Sequence, residues 1–259
     1  MLDQLQASDA WRHVHLVSDL HLSANDPPTA AAWHRYLQND DADALIVLGD
    51  YFDLWVGDDL LDATTVNAAD QTAISFWQMC AEQLRMAAQR KPIFWMVGNR
   101  DFLIGPVFAQ HTGVQLLNDP CVLHWGSDRW LLSHGDQWCT DDSDYLSFRQ
   151  TVRSTAWQSS FLSQPLAQRL EQGRAMRAQS QAHQEQLAHY SDVDTDTVRQ
   201  AAEQTHATGV IHGHTHQGRT FALTPTTTRH VLSDWDAVAT PPRMDLLRLT
   251  PEGATRVQL

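Results

Sequence analysis

ALIVLGDYFD, residues 44–53, is a short apolar run that stops at a glycine and two aspartates. A run this short, bounded by Gly and Asp, reads as a strand buried on both faces rather than as a helix. The same pattern recurs along the chain: HVHLV before SDLH, IFWMV before GNRD, WLL before SHGD, and GVI before HGHTH. Helical patterns fall between the first of these, at about 29–38 and 67–89; the second carries Ile74, Trp77, Met79, Cys80 and Leu84 and closes before Pro92. Strands alternating with helices predict an α/β core. In such sheets binding groups gather beyond the carboxyl ends of the strands, so the five polar clusters are expected to converge on one site.

From about 143 to 205 the pattern changes to a mostly helical stretch rich in Gln, Ala and Arg, read as an insertion that splits the core into 1–142 and 206–259. Its apolar residues are Phe148, Val152, Trp157, Phe161, Leu162, Leu166, Leu170 and Met176, a stripe that at helical spacing is more often core than groove. Arg149, Arg153, Arg169, Arg174 and Arg177 stand against Glu171 alone over 148–178, which predicts an anionic partner nearby. After HGHTH, the runs FAL, RHVLS, MDLLRL and RVQL read as closing strands.

At 259 residues and 42% hydrophobic content the chain suits one globular core carrying an insertion. A formal charge of -13 argues against nucleic acid as a partner, since phosphate backbones reward a basic footprint. Cys80, Cys121 and Cys139 form no C-x-x-C pair and read as reduced core thiols. The opening MLDQLQASDAW lacks the basic and apolar regions of a secretory signal, and the longest apolar runs are strand-sized, so any membrane contact is expected to be peripheral. Ten tryptophans are a high count, for which burial is the commoner explanation and a lipid interface the other.

Asp19 and His21 are two residues apart at the end of a strand, so both side chains leave on one side and can grip one cation. His214 and His216 repeat that spacing near the other end of the chain. Asp50, Asn99 and His134 each follow directly on a buried run. A turn cap or ion pair explains any one of these; it does not easily explain all five sites together. Imidazole nitrogens, carboxylates and an amide oxygen suit a divalent ion such as Mn²⁺, Fe²⁺ or Zn²⁺. Seven ligands are too many for one ion and enough for two if a carboxylate bridges, for which Asp50 is the natural choice. Two ions roughly 3.5–4 Å apart activate a shared hydroxide and clamp a phosphate for in-line attack.

Taken in order, D-x-H at 19–21, GDYFD at 49–53, GNRD at 98–101, SHGD at 133–136 and HGHTH at 212–216 resemble the five motifs of calcineurin-like metallophosphoesterases. The resemblance implies a four-layer α/β/β/α sandwich with a helical cap insertion. It puts Asp19, His21, Asp50 and His216 on one metal, and Asp50, Asn99, His134 and His214 on the other. Asp53, Asp101, Asp136 and His212 would orient ligands or shape turns. Where most of that superfamily carries a histidine after the asparagine, this chain has Arg100. A guanidinium keeps its proton and is no general acid, but it neutralises phosphate oxygens bidentately. That favours a leaving group that is itself a phosphate, and implies Asp50, Asn99, Arg100 and His134 as the catalytic set.

GNRDFLIG, SHGDQWCTDDSDY, YFDLWVGDD and the insertion are similar to one branch, the UDP-2,3-diacylglucosamine diphosphatases of the lipid A pathway. This implies two Mn²⁺ per chain and attack of a metal-bridging hydroxide on the α-phosphate, giving UMP and 2,3-diacylglucosamine 1-phosphate. It also implies acyl chains held by the cap, peripheral residence on the cytoplasmic face of the bacterial inner membrane, and no obligate protein partner. Substrate contacts carried over by position are Asn99, Arg100, Asp142, Ser180, Gln184 and His214. Gln184 and Leu187 stand where the branch usually has Asn and Lys; Gln184 preserves amide hydrogen bonding, whereas Leu187 leaves a cap arginine such as Arg174 or Arg177 to supply the charge. Two other readings stay open: another nucleoside-diphosphate or phosphodiester hydrolase of the superfamily, and a non-catalytic binding module, against which the complete ligand set speaks.

Overall fold

The computed structural model describes residues 2–64, 67–186 and 192–259. One six-stranded sheet runs, in spatial order, β12 (Gly253–Gln258), β11 (Asp245–Thr250), β2 (Val14–Val17), β3 (Ala44–Leu48), β4 (Ile93–Met96) and β5 (Gln115–Leu117). The other runs β1 (Asp3–Gln6), β6 (Cys121–Trp125), β7 (Asp128–Ser133), β8 (Gly209–His212), β10 (Thr228–Val231) and β9 (Arg219–Ala222). β2, β3 and β4 lie side by side and parallel, as do β7 and β8.

β3 is buried throughout because its alternate residues serve two cores. Ala44, Ile46 and Leu48 face the second sheet, where Cys121, Leu123, Leu132 and Ile211 close the space between the sheets. Leu45 and Val47 join the opposite core with helices α1 (Pro27–Asn39), α2 (Ala68–Ala88) and α3 (Pro106–Thr112). α1 starts where the Asp26 carboxylate accepts the Thr29 N–H at 3.2 Å, with proline in its first turn. α2 buries Ile74, Trp77, Cys80, Ala81 and Leu84 at helical spacing, while Met79, expected on that face, is exposed. On the far side of the second sheet, α7 (Thr195–Thr205) lays Val198 and Ala202 on Val122, Leu131 and Val210. The order of layers is therefore helix, sheet, sheet, helix, the α/β/β/α sandwich.

The insertion divides. α4 (Ser143–Val152), α5 (Thr155–Leu162) and α6 (Leu166–Gln186) form a cap, but α7, grouped with them in the sequence reading as part of 143–205, packs as a layer of the core. The cap's apolar stripe divides as well: Leu170, Phe161 and Val152 are buried, whereas Phe148 and Leu162 are 45% and 42% exposed. Leu170 and Phe161 sit in the same cluster as Trp55 and Val56, so part of the stripe joins cap to core. Seven of the ten tryptophans, Trp33, Trp55, Trp77, Trp95, Trp130, Trp138 and Trp235, are buried, which answers the high count with packing. The three cysteines are free and buried. Among the described residues no helix is long and apolar enough to cross a membrane.

Candidate metal centre and the cavity beside it

The five motif loops leave adjacent strands at their carboxyl ends: Asp19 follows β2, Asp50 β3, Asn99 β4, His134 β7 and His214 β8. The two sheets thus present their loops to one point. Short backbone bonds lock them together, Asp19 N–H to Gly49 O at 3.1 Å, His21 N–H to Asp50 O at 2.9 Å, and Gly213 N–H to His134 O at 3.0 Å. Asp19, His21, Asp50, His214 and His216 all hold positive φ, between 47° and 67°. Such backbone costs of order 1–3 kcal/mol per residue and persists where the surroundings over-determine it, typically at functional sites.

The structure brings all seven predicted ligands together. Nε2 of His216 is 3.4 Å from Oδ1 of Asp19 and 3.2 Å from Nε2 of His21. Oδ1 of Asn99 is 2.9 Å from Nε2 of His134 and 2.9 Å from Nδ1 of His214. Asp50 lies between these halves, Oδ1 3.8 Å from His134 Nε2 and Oδ2 4.0 Å from His21 Nδ1. Asp19, His21 and His216 form one compact donor group and Asp19, Asp50 and His134 another, so Asp19 also reaches both halves.

These donors fit cations. Oδ1 of Asp19 is buried with no hydrogen-bond partner, a costly state unless a cation sits against it. His134 directs Nδ1 at the Leu48 carbonyl at 2.8 Å, so in the neutral ring the proton lies there and Nε2 turns a lone pair on the Asn99 oxygen, acceptor to acceptor. Positive charge must enter that gap. Burial disfavours charge on His134, yet Asp50, Asp19 and Asp136 carry it up to about 9, so a proton fills the gap when no ion does. Burial, partly offset by His134, pushes the Asp50 carboxyl up to about 7. Burial also opposes the charge of Asp19, but the attraction of His216, with His134 and His21 adding, holds it well below the usual carboxylate range.

The remaining motif residues divide by role. Asp101, fully buried, accepts backbone N–H groups from Gly98 at 2.7 Å, Tyr51 at 3.0 Å and Asp50 at 3.3 Å, shaping the turn as expected. Asp53 and Asp136 instead reach out of the metal loops to the cap. Asp53 pairs with Arg177 at 2.5 Å; Asp136 accepts from Tyr145 Oη at 2.6 Å and Arg149 Nε at 2.8 Å, with Arg153 at 3.7 Å. Arg169 pairs with Asp59 and Arg174 with Asp70. All five cap arginines thus face aspartates of the core, so the anionic partner read from their charge is the protein itself. Arg174 and Arg177 are both committed to aspartates in this way, and of the two Arg177 is on the cavity wall.

A cavity of about 530 Å³ opens beside the metal loops under the cap. Asn99, Arg100, Asp142, Ser180 and His214 line it, as predicted for substrate contacts, and its apolar part is walled by Trp55, Leu103, Phe148, Phe161 and Met176. Among the described residues the Arg100 guanidinium has no ion-pair partner; its backbone N–H donates to Asp50 Oδ1 at 2.7 Å. Asp142 also caps α4, accepting the Tyr145 N–H at 2.9 Å. Gln184 belongs to α6, but its side chain, like all of Leu187, lies outside the described residues. Tyr145 escaped the sequence reading: its ring stacks on His214, centroids 6.0 Å apart, and its hydroxyl is tied to Asp136. The available signal was its place three residues after the helix-capping Asp142.

The calcineurin-like phosphoesterase profile matches residues 12–218, the span from just before β2 to just beyond the last motif. The chain belongs to that family. This calcineurin-like phosphoesterase is a metal-dependent hydrolase of phosphoesters or pyrophosphates, and its family implies a dinuclear divalent-metal site. It is 38% identical over 245 residues to a protein of Bordetella parapertussis named UDP-2,3-diacylglucosamine hydrolase, covering 92% of each chain. A protein of the same name from Chromobacterium violaceum is 38% identical over 231 residues, covering 86% of this phosphoesterase and 90% of the relative. Among solved structures, an archaeal phosphodiesterase overlaps 95% of this chain and 99% of its own at 12% identity and a TM-score of 0.46.

Proposed function

We propose that this phosphoesterase hydrolyses the pyrophosphate bond of UDP-2,3-diacylglucosamine at the α-phosphate, releasing UMP and the diacylglucosamine 1-phosphate. The cavity carries the reading: its lining is divided between polar groups, among them Asn99, His214 and the Arg100 guanidinium, which has no ion-pair partner among the described residues, and apolar side chains. A lipid-linked nucleoside diphosphate has that same division, and the relatives' name supports it.

Asp19, His21, Asp50 and His216 would hold one ion and Asp50, Asn99, His134 and His214 the other, with Mn²⁺ as the proposed metal. Bound there, the ions supply Lewis acidity toward phosphate and activation of water. The chain's own groups do the rest. Arg100, uncommitted to any acid among the described residues, neutralises charge on the pyrophosphate oxygens and on the departing β-phosphate, which leaves without needing a proton. Asn99 and His214 lie on the same wall and orient the α-phosphate. Trp55, Phe148, Phe161 and Met176 take the acyl chains and exclude water from them. Exposed Phe148 and Leu162 on the cap give it an apolar surface for peripheral contact with the cytoplasmic face of the inner membrane.

The test is direct: pure protein, Mn²⁺ and the UDP-diacyl sugar in ¹⁸O water, with both products weighed. Label on UMP is expected. Label only on the lipid phosphate would refute attack at the α-phosphate, and cleavage of a deacylated UDP-sugar with equal efficiency would favour a nucleoside-diphosphate hydrolase without lipid preference.

A further inference from the structure

His212, the first histidine of HGHTH, ends β8 and is fully buried, yet it is not one of the seven ligands. Its Nε2 stands 2.9 Å from Nε of Arg229, a fully buried residue of the neighbouring strand β10. A guanidinium only donates, so Nε2 must accept and the ring proton must sit on Nδ1. Nδ1 lies 2.9 Å from the carbonyl oxygen of Gly213, which the proton therefore clamps. The same carbonyl accepts the Thr215 N–H at 2.8 Å, and the His214 N–H donates to Oδ2 of Asp19 at 2.9 Å. His214 and His216 hold their positive φ of 67° and 56° on this turn.

Arg229 is itself held firmly. It donates to Oδ1 of Asp192 at 2.7 Å and lies over the Phe221 ring at 4.9 Å. Asp192 lies three residues before the start of α7, on the stretch that returns from the cap. A buried arginine is costly, and here its Nε–H and the Gly213 carbonyl select the same tautomer from opposite sides of the imidazole.

We infer that Arg229 is a positioning residue for the metal centre: it holds His212 in the Nδ1–H tautomer, whose proton pins the Gly213 carbonyl and so aims His214 and His216. The inference rests on reading those two histidines as metal ligands. Without the Arg229 donor only the Gly213 carbonyl selects the Nδ1–H tautomer; the Nε2–H form, which turns a lone pair on that oxygen, becomes accessible and loosens the turn.

Two measurements test this on the full chain. Long-range ¹H–¹⁵N spectra of histidine-labelled, Zn²⁺-loaded protein report the tautomer of His212 directly, and Mn²⁺ affinity is read by competition with a chelator. Wild type should show the Nδ1–H form alone. Arg229→Met should show the Nε2–H form beside it and bind Mn²⁺ roughly 10–100-fold more weakly, the usual cost of removing a group that orients a ligand. Arg229→Lys, which still donates, should recover most of that loss, and Arg229→Met combined with His212→Gln should cost no more than the worse single change. An Nε2–H or doubly protonated His212 in wild type overturns the inference without recourse to any variant, so a poorly folding Arg229→Met does not shield it. Additive losses, or unchanged affinity in Arg229→Met while wild type binds Mn²⁺, would sink the positioning role and leave the metal centre standing. Failure of wild type to bind Mn²⁺ would remove the metal reading and this inference with it.

Discussion

At Gly98 an added β-carbon would stand 2.1 Å from Oδ1 of Asp50 and 2.4 Å from its backbone nitrogen, both far inside van der Waals contact. The site is therefore packed to the limit of a hydrogen atom between two motif loops. Gly98→Ala should leave a folded chain by circular dichroism but weaken metal binding by at least tenfold, on the order of what displaced ligand support costs. Undiminished metal content in that variant would show that Asp50 does not need its observed position. Asp50→Ala should lose at least one ion and nearly all turnover, as metal analysis alongside an activity assay would show. For Arg100→Ala the expected loss is 10²–10³-fold in pyrophosphate cleavage, the cost of removing one preorganised charge-stabilising donor. Cyclic AMP, whose alkoxide leaving group needs a proton, should be a negligible substrate; comparable efficiency on it and on the UDP-lipid would overturn this role.

α6 is the element whose reading changes most between sequence and structure. Its Leu170 is fully buried in the cluster shared with Trp55 and Val56, while Arg169 beside it is clasped by Asp59. Leu170→Ala should therefore destabilise the chain by about 2–5 kcal/mol in urea unfolding, the range for a buried leucine, and impair every substrate alike. Phe148 on α4 is the contrasting case, half exposed and on the cavity wall. Phe148→Glu should change stability little and impair the diacylated substrate more than a deacylated analogue. Equal losses on the two substrates would remove Phe148 from lipid recognition. No sequence pattern separates these roles, because both residues belong to one apolar stripe and the difference lies in what the core places opposite them. The arginine clasps are illegible for the same reason: Arg169 and Asp59 are 110 residues apart.

Across the whole molecule, each sheet buries a neutral histidine away from the metal loops. His15 on β2 bonds Tyr36 Oη at 2.9 Å, and burial, with Arg248 adding, holds it near 4. His230 on β10 bonds Thr220 Oγ1 at 3.0 Å, and burial, with Arg256 adding, likewise holds it near 4. Each is lowered from 6.5. Between those values the unfolded chain binds the proton and the folded chain does not, so stability is intact above pH 6.5 and falls as pH drops toward 4. From pH 7 to 5 the loss should be roughly 2 kcal/mol per histidine. Metal-free His15→Gln/His230→Gln should lose correspondingly less than metal-free wild type over that interval; parallel curves would refute the assignment. The five motif clusters, the α/β alternation and the seven donors were legible in the chain alone, because each cluster is local: a buried strand, a glycine and a donor at fixed spacing. The cap's attachment, the membership of α7 in the core, the strained backbone under five of the donors and the Arg229–His212 contact were decided only by the tertiary structure. They depend on which distant residues two packed sheets bring within hydrogen-bond reach, and spacing along the chain carries no record of that.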